Sequence, residues 1–334
     1  MSEAAGLTRP LRVLFVTNMW PEHGGFRGTF VEQQASSLRE LGHHVDVEIV
    51  AQARGIADYV LAAPRVRRRA REGRYDVVHV HFGLTAFAAR LVDRPRVITL
   101  YGSDINERLK RWWTRLSWGG AAARVYVSRS LAAVAGDRAG RVVPNGVDFD
   151  LFRPGERTAA RTELGVGPDD RLILFGSQPE RAVKGHDVFA DVVRRLRSQG
   201  IPARELILTS PGQAASRVVA KYDAADVLLF TSRRGSEGSP TVVKEAIAMG
   251  LPVVSVDVGD VAEMLAGIEP SEVVAFPKEG SVGAARDMLV GRLADATARV
   301  LANGARADGR ERLSWLSLDQ VAGRVVDVYR SVAT

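Results

Sequence analysis

The run Val227-Leu228-Leu229-Phe230-Thr231-Ser232-Arg233-Arg234-Gly235-Ser236-Glu237-Gly238-Ser239-Pro240-Thr241-Val242-Val243-Lys244-Glu245-Ala246 carries the decision on the fold. Four apolar residues read as a buried strand, a glycine-bearing turn follows, and a helical pattern then runs from Pro240 to Met249. Ser239 has the chemistry of an N-cap and Pro240 that of a first helical residue. Gly238 lets the backbone approach a ligand, and the free amides of the helix start sit at the positive end of its dipole, which makes an anion site. Glu237 lies just before this helix and Glu245 about a turn and a half inside it. A carboxylate repels phosphate but accepts hydrogen bonds from sugar hydroxyls, so two of them beside an anion site describe a sugar nucleotide. The plainer reading is an ordinary capped helix with two solvated glutamates.

Outward from this run the same strand–helix unit repeats. Leu172–Phe175, Glu205–Leu208 and Pro252–Val256 read as further strands, with a helix over His186–Ser198. The N-terminal half alternates in the same way, with strands at Leu11–Thr17, Val45–Val50, Asp76–Val80, Arg96–Leu100 and Arg124–Val127. Its first helix puts Val31, Ala35, Leu38 and Leu41 on one face and stops at Gly42. Alternation at this spacing gives parallel sheets wound with helices on both faces. Pro144-Asn145-Gly146 and Arg153-Pro154-Gly155 break the pattern, so the chain reads as two α/β domains, 1–149 and 150–316. Ser317 with Gln320 forms a capping box that opens a closing helix, 317–334, whose stripe is Val321, Val325, Val328 and Tyr329.

With 334 residues the chain is long enough for two cores. A hydrophobic fraction of 46% and a mean hydropathy of −0.05 exclude a disordered chain. No apolar run approaches a membrane span, the N-terminus lacks the form of a secretory signal, and cysteine is absent, so a cytoplasmic protein is expected. The 46 basic against 39 acidic residues leave a net charge of +7, which suits an anionic partner such as a nucleotide or membrane surface. Nucleic acid is not expected, because no recognised binding module accompanies the charge.

Other loops after strands carry chemistry. In Gly176 to His186, Arg181 and Lys184 lie three apart beside Gly185, a fork and a point charge able to neutralise a diphosphate. His79 and His81 share one face of a strand, His81 nearer its end. A metal would need a third ligand that the sequence does not offer, so His81 is read as a hydrogen-bonding group for a substrate, against a buried histidine satisfied by backbone. Gly24-Gly25 follows the first strand without forming a dinucleotide fingerprint or a P-loop. Asp148-Phe149-Asp150 reads as linker. Ile105, Leu109, Trp112, Trp113 and Leu116 share a helical face beside Arg108, Lys110, Arg111 and Arg115, either an interfacial helix or a stripe packed on the sheet. Arg65, Arg67, Arg68, Arg69, Arg71 and Arg74 form a second basic patch.

Taken in order, these motifs resemble the retaining GT-B glycosyltransferases of family 4. The resemblance rests on Glu237 and Glu245 with seven residues between, Arg181 with Lys184-Gly185, His79-Val80-His81, Gly24-Gly25, Tyr101-Gly102-Ser103-Asp104 and Pro144-Asn145-Gly146-Val147-Asp148, and it runs from Val13 to about Tyr329. It implies two Rossmann-like domains facing across a cleft, the last helix crossing back to the first domain. By the same likeness Arg181 and Lys184 would hold a diphosphate, Glu245 the ribose, Glu237 the donor sugar and His81 a hydroxyl near the reacting centre. Gly24, Gly25, Gly238, Ser239, Pro240 and Thr241 would complete the donor site, and Tyr101 and Asp104 would lie on the acceptor side. No metal or other cofactor would be required. The stretch from Ser210 to Lys221 is shorter, and Arg181 and Lys184 are closer together, than the family usually has. The expected function is transfer of a hexose-type sugar from a nucleoside-diphosphate sugar to a lipid-linked, polysaccharide-precursor or small-molecule acceptor, with the anionic inner membrane face as a further partner. The alternatives are a sugar-nucleotide 2-epimerase and a catalytically silent nucleotide-sugar-binding subunit.

Overall fold

The computed structural model describes residues 9–21, 28–167, 169–208, 213–277 and 281–333. Contacts divide the chain into two compact units. Unit 1 comprises Met1–Val127, Ala132–Pro144 and Leu318–Thr334, and unit 2 comprises Ser128–Leu131 and Asn145–Ser317.

Unit 1 runs β1 (Arg12–Thr17), α1 (Thr29–Glu40), β2 (His44–Ile49), α2 (Ile56–Glu72) and β3 (Val77–His81), then a 3-10 turn at Gly83–Phe87. It continues with β4 (Arg96–Leu100), α3 (Ser103–Asn106), α4 (Arg108–Ser117), β5 (Ala123–Tyr126), α5 (Arg129–Ala135) and β6 (Arg141–Val142). All pairings in its sheet are parallel, in the order β2-β1-β3-β4-β5-β6. After β2 the chain returns to the other side of β1, so the winding reverses between β1 and β3, where Thr17 stands beside His81. Every residue of β3 and β4 is buried, as expected of strands covered on both faces.

Unit 2 runs α6 (Arg157–Glu163), β7 (Arg171–Phe175), α7 (His186–Ser198), β8 (Ala203–Ile207), α8 (Ala215–Ala224), β9 (Val227–Phe230) and α9 (Thr241–Ala248). It ends with β10 (Val253–Val256), α10 (Val261–Leu265), β11 (Glu272–Val274) and α11 (Val282–Asn303). Its parallel sheet has the order β11-β10-β9-β7-β8, so the winding reverses between β7 and β9. Such reversals leave a crevice beyond the strand ends, because the loops on either side leave toward opposite faces.

The closing helix α12 (Leu318–Arg330) belongs to unit 1. Its stripe of Val321, Val325, Val328 and Tyr329 is buried with Val31, Ala35 and Leu38 of α1 and Val13 and Phe15 of β1. Each such fully buried side chain contributes about 1.5–3 kcal/mol, so the helix is firmly docked.

Two expectations are corrected here. The helical face from Ile105 to Leu116 is not one stripe, because the backbone turns extended at Glu107 and separates α3 from α4. Ile105 is buried in α3, whereas Leu109, Trp112 and Leu116 of α4 point outward instead of packing on the sheet. Ser239 is not the N-cap of α9: the helix begins at Thr241 with Pro240 in the cap position, and the Ser239 hydroxyl is turned to Asp260.

Candidate active site

The reversal point of unit 2 is built from the loops after β7 and β9. The first loop ends in a 3-10 turn, Ala182–Lys184, and then Gly185, whose φ of 70° caps α7. A Cβ at Gly185 would collide with the carbonyl oxygen of Thr231, just beyond β9, so only glycine allows the two loops to meet. Thr231 secures the junction by donating its hydroxyl to the Gly185 carbonyl oxygen at 3.0 Å. This close approach brings Lys184 Nζ within 2.7 Å of Glu237 Oε1, and Ser232 Oγ donates to the same oxygen at 2.7 Å. The two charged side chains are 17% and 11% exposed, sheltered yet open to an entering ligand. Arg181 stands at the start of the turn with its guanidinium exposed and without a carboxylate partner among the described residues.

Glu245 lies about one turn into α9, with Oε2 accepting from the Tyr222 hydroxyl at 2.6 Å. Burial pushes this carboxyl upward, and the hydrogen bonds from Tyr222 and Thr241 pull it back. Beside it Lys244 is buried, and its ammonium donates to the Asn145 carbonyl oxygen at 2.8 Å. Burial brings that ammonium down to about 8, while Asp260 and Glu245 favour its charged form. Asp260 Oδ2 accepts from Ser239 at 2.6 Å, and Oδ1 is buried without a partner among the described residues. Gly259 and Gly238 meet so closely that a Cβ at Gly259 would run into the Gly238 carbonyl oxygen, which holds the loop before α9 in place. Tyr222, Lys244 and Asp260 are not among the site residues expected from the sequence, although Lys244 stands in the leading motif and Asp260 in a Gly259-Asp260-Val261 segment that also fits the family. Tyr222 had a faint signal, since it opens the segment that ends in Ala225-Asp226-Val227.

In unit 1 the two histidines at the end of β3 part company. His79 is satisfied on both sides, by Tyr329 Oη at 2.6 Å and Thr99 Oγ1 at 2.7 Å, and burial drops it to about 3. His81 meets Tyr101 Oη at 2.6 Å through Nδ1, while its buried Nε2 has no partner among the described residues. Burial and the neighbouring His79 hold His81 well below the usual imidazole range, so its ring is neutral at pH 7. The chain turns sharply after it: Phe82 has a φ of 80°, a conformation that costs a non-glycine residue about 1–3 kcal/mol. Asp104 is fully buried and accepts from the main-chain amides of Gly83, Tyr101 and Gly102. Its carboxylate therefore fixes the turn that carries Tyr101. The Asp148 carboxylate likewise accepts from the amides of Asp150 and Leu151 within its own turn. Gly24 and Gly25 lie outside the described residues.

Two α/β units, each built on a parallel sheet with reversed winding, are the architecture of the GT-B class of glycosyltransferase folds. The model of glycosyltransferase family 4 matches residues 31–151, and that of the glycosyl transferases group 1 matches residues 169–303. Over 311 residues the chain is 30% identical to a D-inositol 3-phosphate glycosyltransferase of Xylanimonas cellulosilytica, covering 77% of this chain and 72% of that protein. Over 219 residues it is 29% identical to a Bacillus subtilis protein named as a teichuronic acid biosynthesis glycosyltransferase, TuaC. That match covers 57% of this chain and 55% of TuaC, so the chain spans little more than half of that relative. A sucrose-phosphate synthase from Thermosynechococcus elongatus shares the fold, with a TM-score of 0.75 over 96% of this chain and 98% of that one at 16% identity. The chain belongs to glycosyltransferase family 4, in the group 1 branch with the GT-B fold.

Proposed function

We propose that this protein is a retaining glycosyltransferase that moves a hexose-type sugar from a nucleoside-diphosphate donor to a hydroxylated acceptor. The observation that carries the reading is the Lys184–Glu237 pair at the reversal of the unit 2 sheet. Without a ligand each group neutralises the other. A donor entering there exchanges this contact for two better-matched ones, phosphate on Lys184 and sugar hydroxyls on Glu237. The Thr241, Val242 and Val243 amides of α9 add the positive end of a helix dipole. Glu245, which accepts from Tyr222 and Thr241, stands on α9 as the acceptor for the ribose hydroxyls.

During transfer the leaving diphosphate gathers negative charge. Lys184, Arg181 and the α9 amides meet that charge as fixed donors, the role a divalent cation plays elsewhere, so the reaction is proposed to run without metal. In this reading His81 is the tautomer that accepts from Tyr101 at Nδ1, at 2.6 Å, and offers its Nε2 proton to a sugar hydroxyl. Names of the relatives, with inositol phosphate and teichuronic acid in them, favour an acceptor rich in hydroxyl groups. Lipid-linked, polysaccharide-precursor and small-molecule acceptors all fit that description.

Thermal unfolding against a panel of nucleoside diphosphates and their sugars tests the donor site. The matching ligand at about one hundred times its Kd stabilises the fold by about 2.7 kcal/mol, and Glu245→Ala abolishes the shift. A panel without any stabilising member would overturn the reading. With a donor in hand, the anomeric configuration of the product by NMR decides retention, and turnover unchanged by EDTA decides metal independence.

A further inference from the structure

Helix α4 carries two parallel rows of side chains, each spaced i, i+3, i+7. The apolar row is Leu109, Trp112 and Leu116, which are 71%, 54% and 44% exposed. One residue earlier at every step stands Arg108, Arg111 or Arg115, so the arginine row runs alongside the apolar one. The opposite side holds the helix to unit 1: Thr114 and Ser117 are buried, and Trp113 meets the Phe87 ring edge-on. Folding of unit 1 therefore does not account for the apolar row. Single exposed apolar residues are ordinary, but three in line around an indole mark a surface with a partner.

The charges of the second row are also uncompensated. Arg111 and Arg115 donate to the main-chain carbonyl oxygens of Val134 and Ala135, which leaves their charge in place. Arg108 has no carboxylate partner among the described residues, and Lys110 is paired with Glu107. The longer basic run on α2 behaves differently. Arg65 and Arg69 are bound to Glu48, Arg67 and Arg71 to Asp93, and Arg68 to Glu72. Each of those five arginines thus has a carboxylate beside it, although they share three, whereas none of the three arginines in the α4 row has one among the described residues and that row is left for an outside anion.

We propose that α4 lies in the headgroup layer of an anionic lipid bilayer, with Leu109, Trp112 and Leu116 in the acyl boundary and Arg108, Arg111 and Arg115 on lipid phosphates. A bilayer surface presents hydrocarbon and phosphate along one line, which is the arrangement these two rows match. A second copy of the chain seated on α4 would oppose arginine rows of like sign. No described helix is long and apolar enough to cross a membrane. This goes beyond the transferase reading, and its test uses no activity.

Sedimentation of the full chain with vesicles of mixed phosphatidylglycerol and phosphatidylcholine, against phosphatidylcholine alone, tests it. Binding is expected only to the anionic vesicles at about 50 mM NaCl and is lost by about 500 mM, where screening shortens to a few ångströms. Arg108→Gln, which disturbs no contact, weakens binding about fivefold, and the change of all three arginines about a hundredfold. Leu109→Ser with Trp112→Ser and Leu116→Ser removes binding while the melting temperature stays put, because these side chains are outside the core. Equal binding to both vesicles, or none to either, would overturn the proposal. A wild-type dimer that the serine variant dissolves would also overturn it, by assigning the row to a second copy.

Discussion

The two sheets reverse their winding in the same manner yet put opposite chemistry at the reversal. Unit 1 places His81 there, buried and uncharged, held from one side by Tyr101. Unit 2 places Lys184 and Glu237 there, both charged and partly open to water. Burial decides the difference. An imidazole gives up its charge cheaply when it is desolvated, because its ordinary pKa is already near 6.5, whereas an ammonium and a carboxylate keep theirs if each has the other. One fold pattern thus yields a neutral hydrogen-bonding end and an electrostatic end, and a phosphate ligand suits only the second.

The comparison is sharpened most by Lys184→Ala. Removing the fixed cation leaves Glu237 without its ammonium and should raise the barrier to transfer by about 2–4 kcal/mol, read from kcat/KM. A near-normal rate would break the assignment of charge stabilisation to unit 2. Next in size is the acid response of unit 1. Below about pH 6.5 the unfolded chain takes up protons at positions 79 and 81 that the folded chain refuses. Stability therefore falls as pH drops, by about 2 kcal/mol for His79 by pH 5, continuing to about pH 3, and His81 adds a loss of the same sign. Melting temperatures across this range should show the slope, and His79→Gln should reduce it. Lys244 follows the same sign in a higher window, since unit 2 gains stability as pH rises from about 8 to the ordinary lysine value. Tyr222→Phe is smaller, about 1 kcal/mol of nucleoside-diphosphate affinity by calorimetry with kcat little changed, because it only orients Glu245. Smallest is Arg181→Ala, less than about 1 kcal/mol on the same affinity, as befits an exposed cation.

How much of this was legible in the sequence depended on whether the signal was local. Strands such as Val227–Phe230 announce themselves through consecutive apolar residues, and the stripe of α12 shows its period directly. The edge strands β6 and β11, only two and three residues long, are too short to leave a pattern. Helix α11 escaped notice although it is the longest at 22 residues, because small and charged residues dilute its apolar positions Leu289, Leu293 and Val300. At the site, the spacing of Glu237, Glu245 and Lys184 could be read, but the contact between Lys184 and Glu237 spans 53 positions. The break at Glu107 had no proline or glycine beside it to mark it. Ser239 differs for a physical reason, since α9 starts one residue later than its pattern suggests and the hydroxyl donates instead to the buried Asp260.

One feature of the fold bears on how the molecule is made. Unit 2, apart from Ser128–Leu131, is a single continuous run, but unit 1 needs α12, whose Tyr329 reaches back 250 positions to His79. On a ribosome unit 2 can therefore finish folding first, while the α1 face of Val31, Ala35 and Leu38 waits uncovered until α12 has been made. Loss of α12 through premature termination would thus strike the half of the protein that was synthesised earliest.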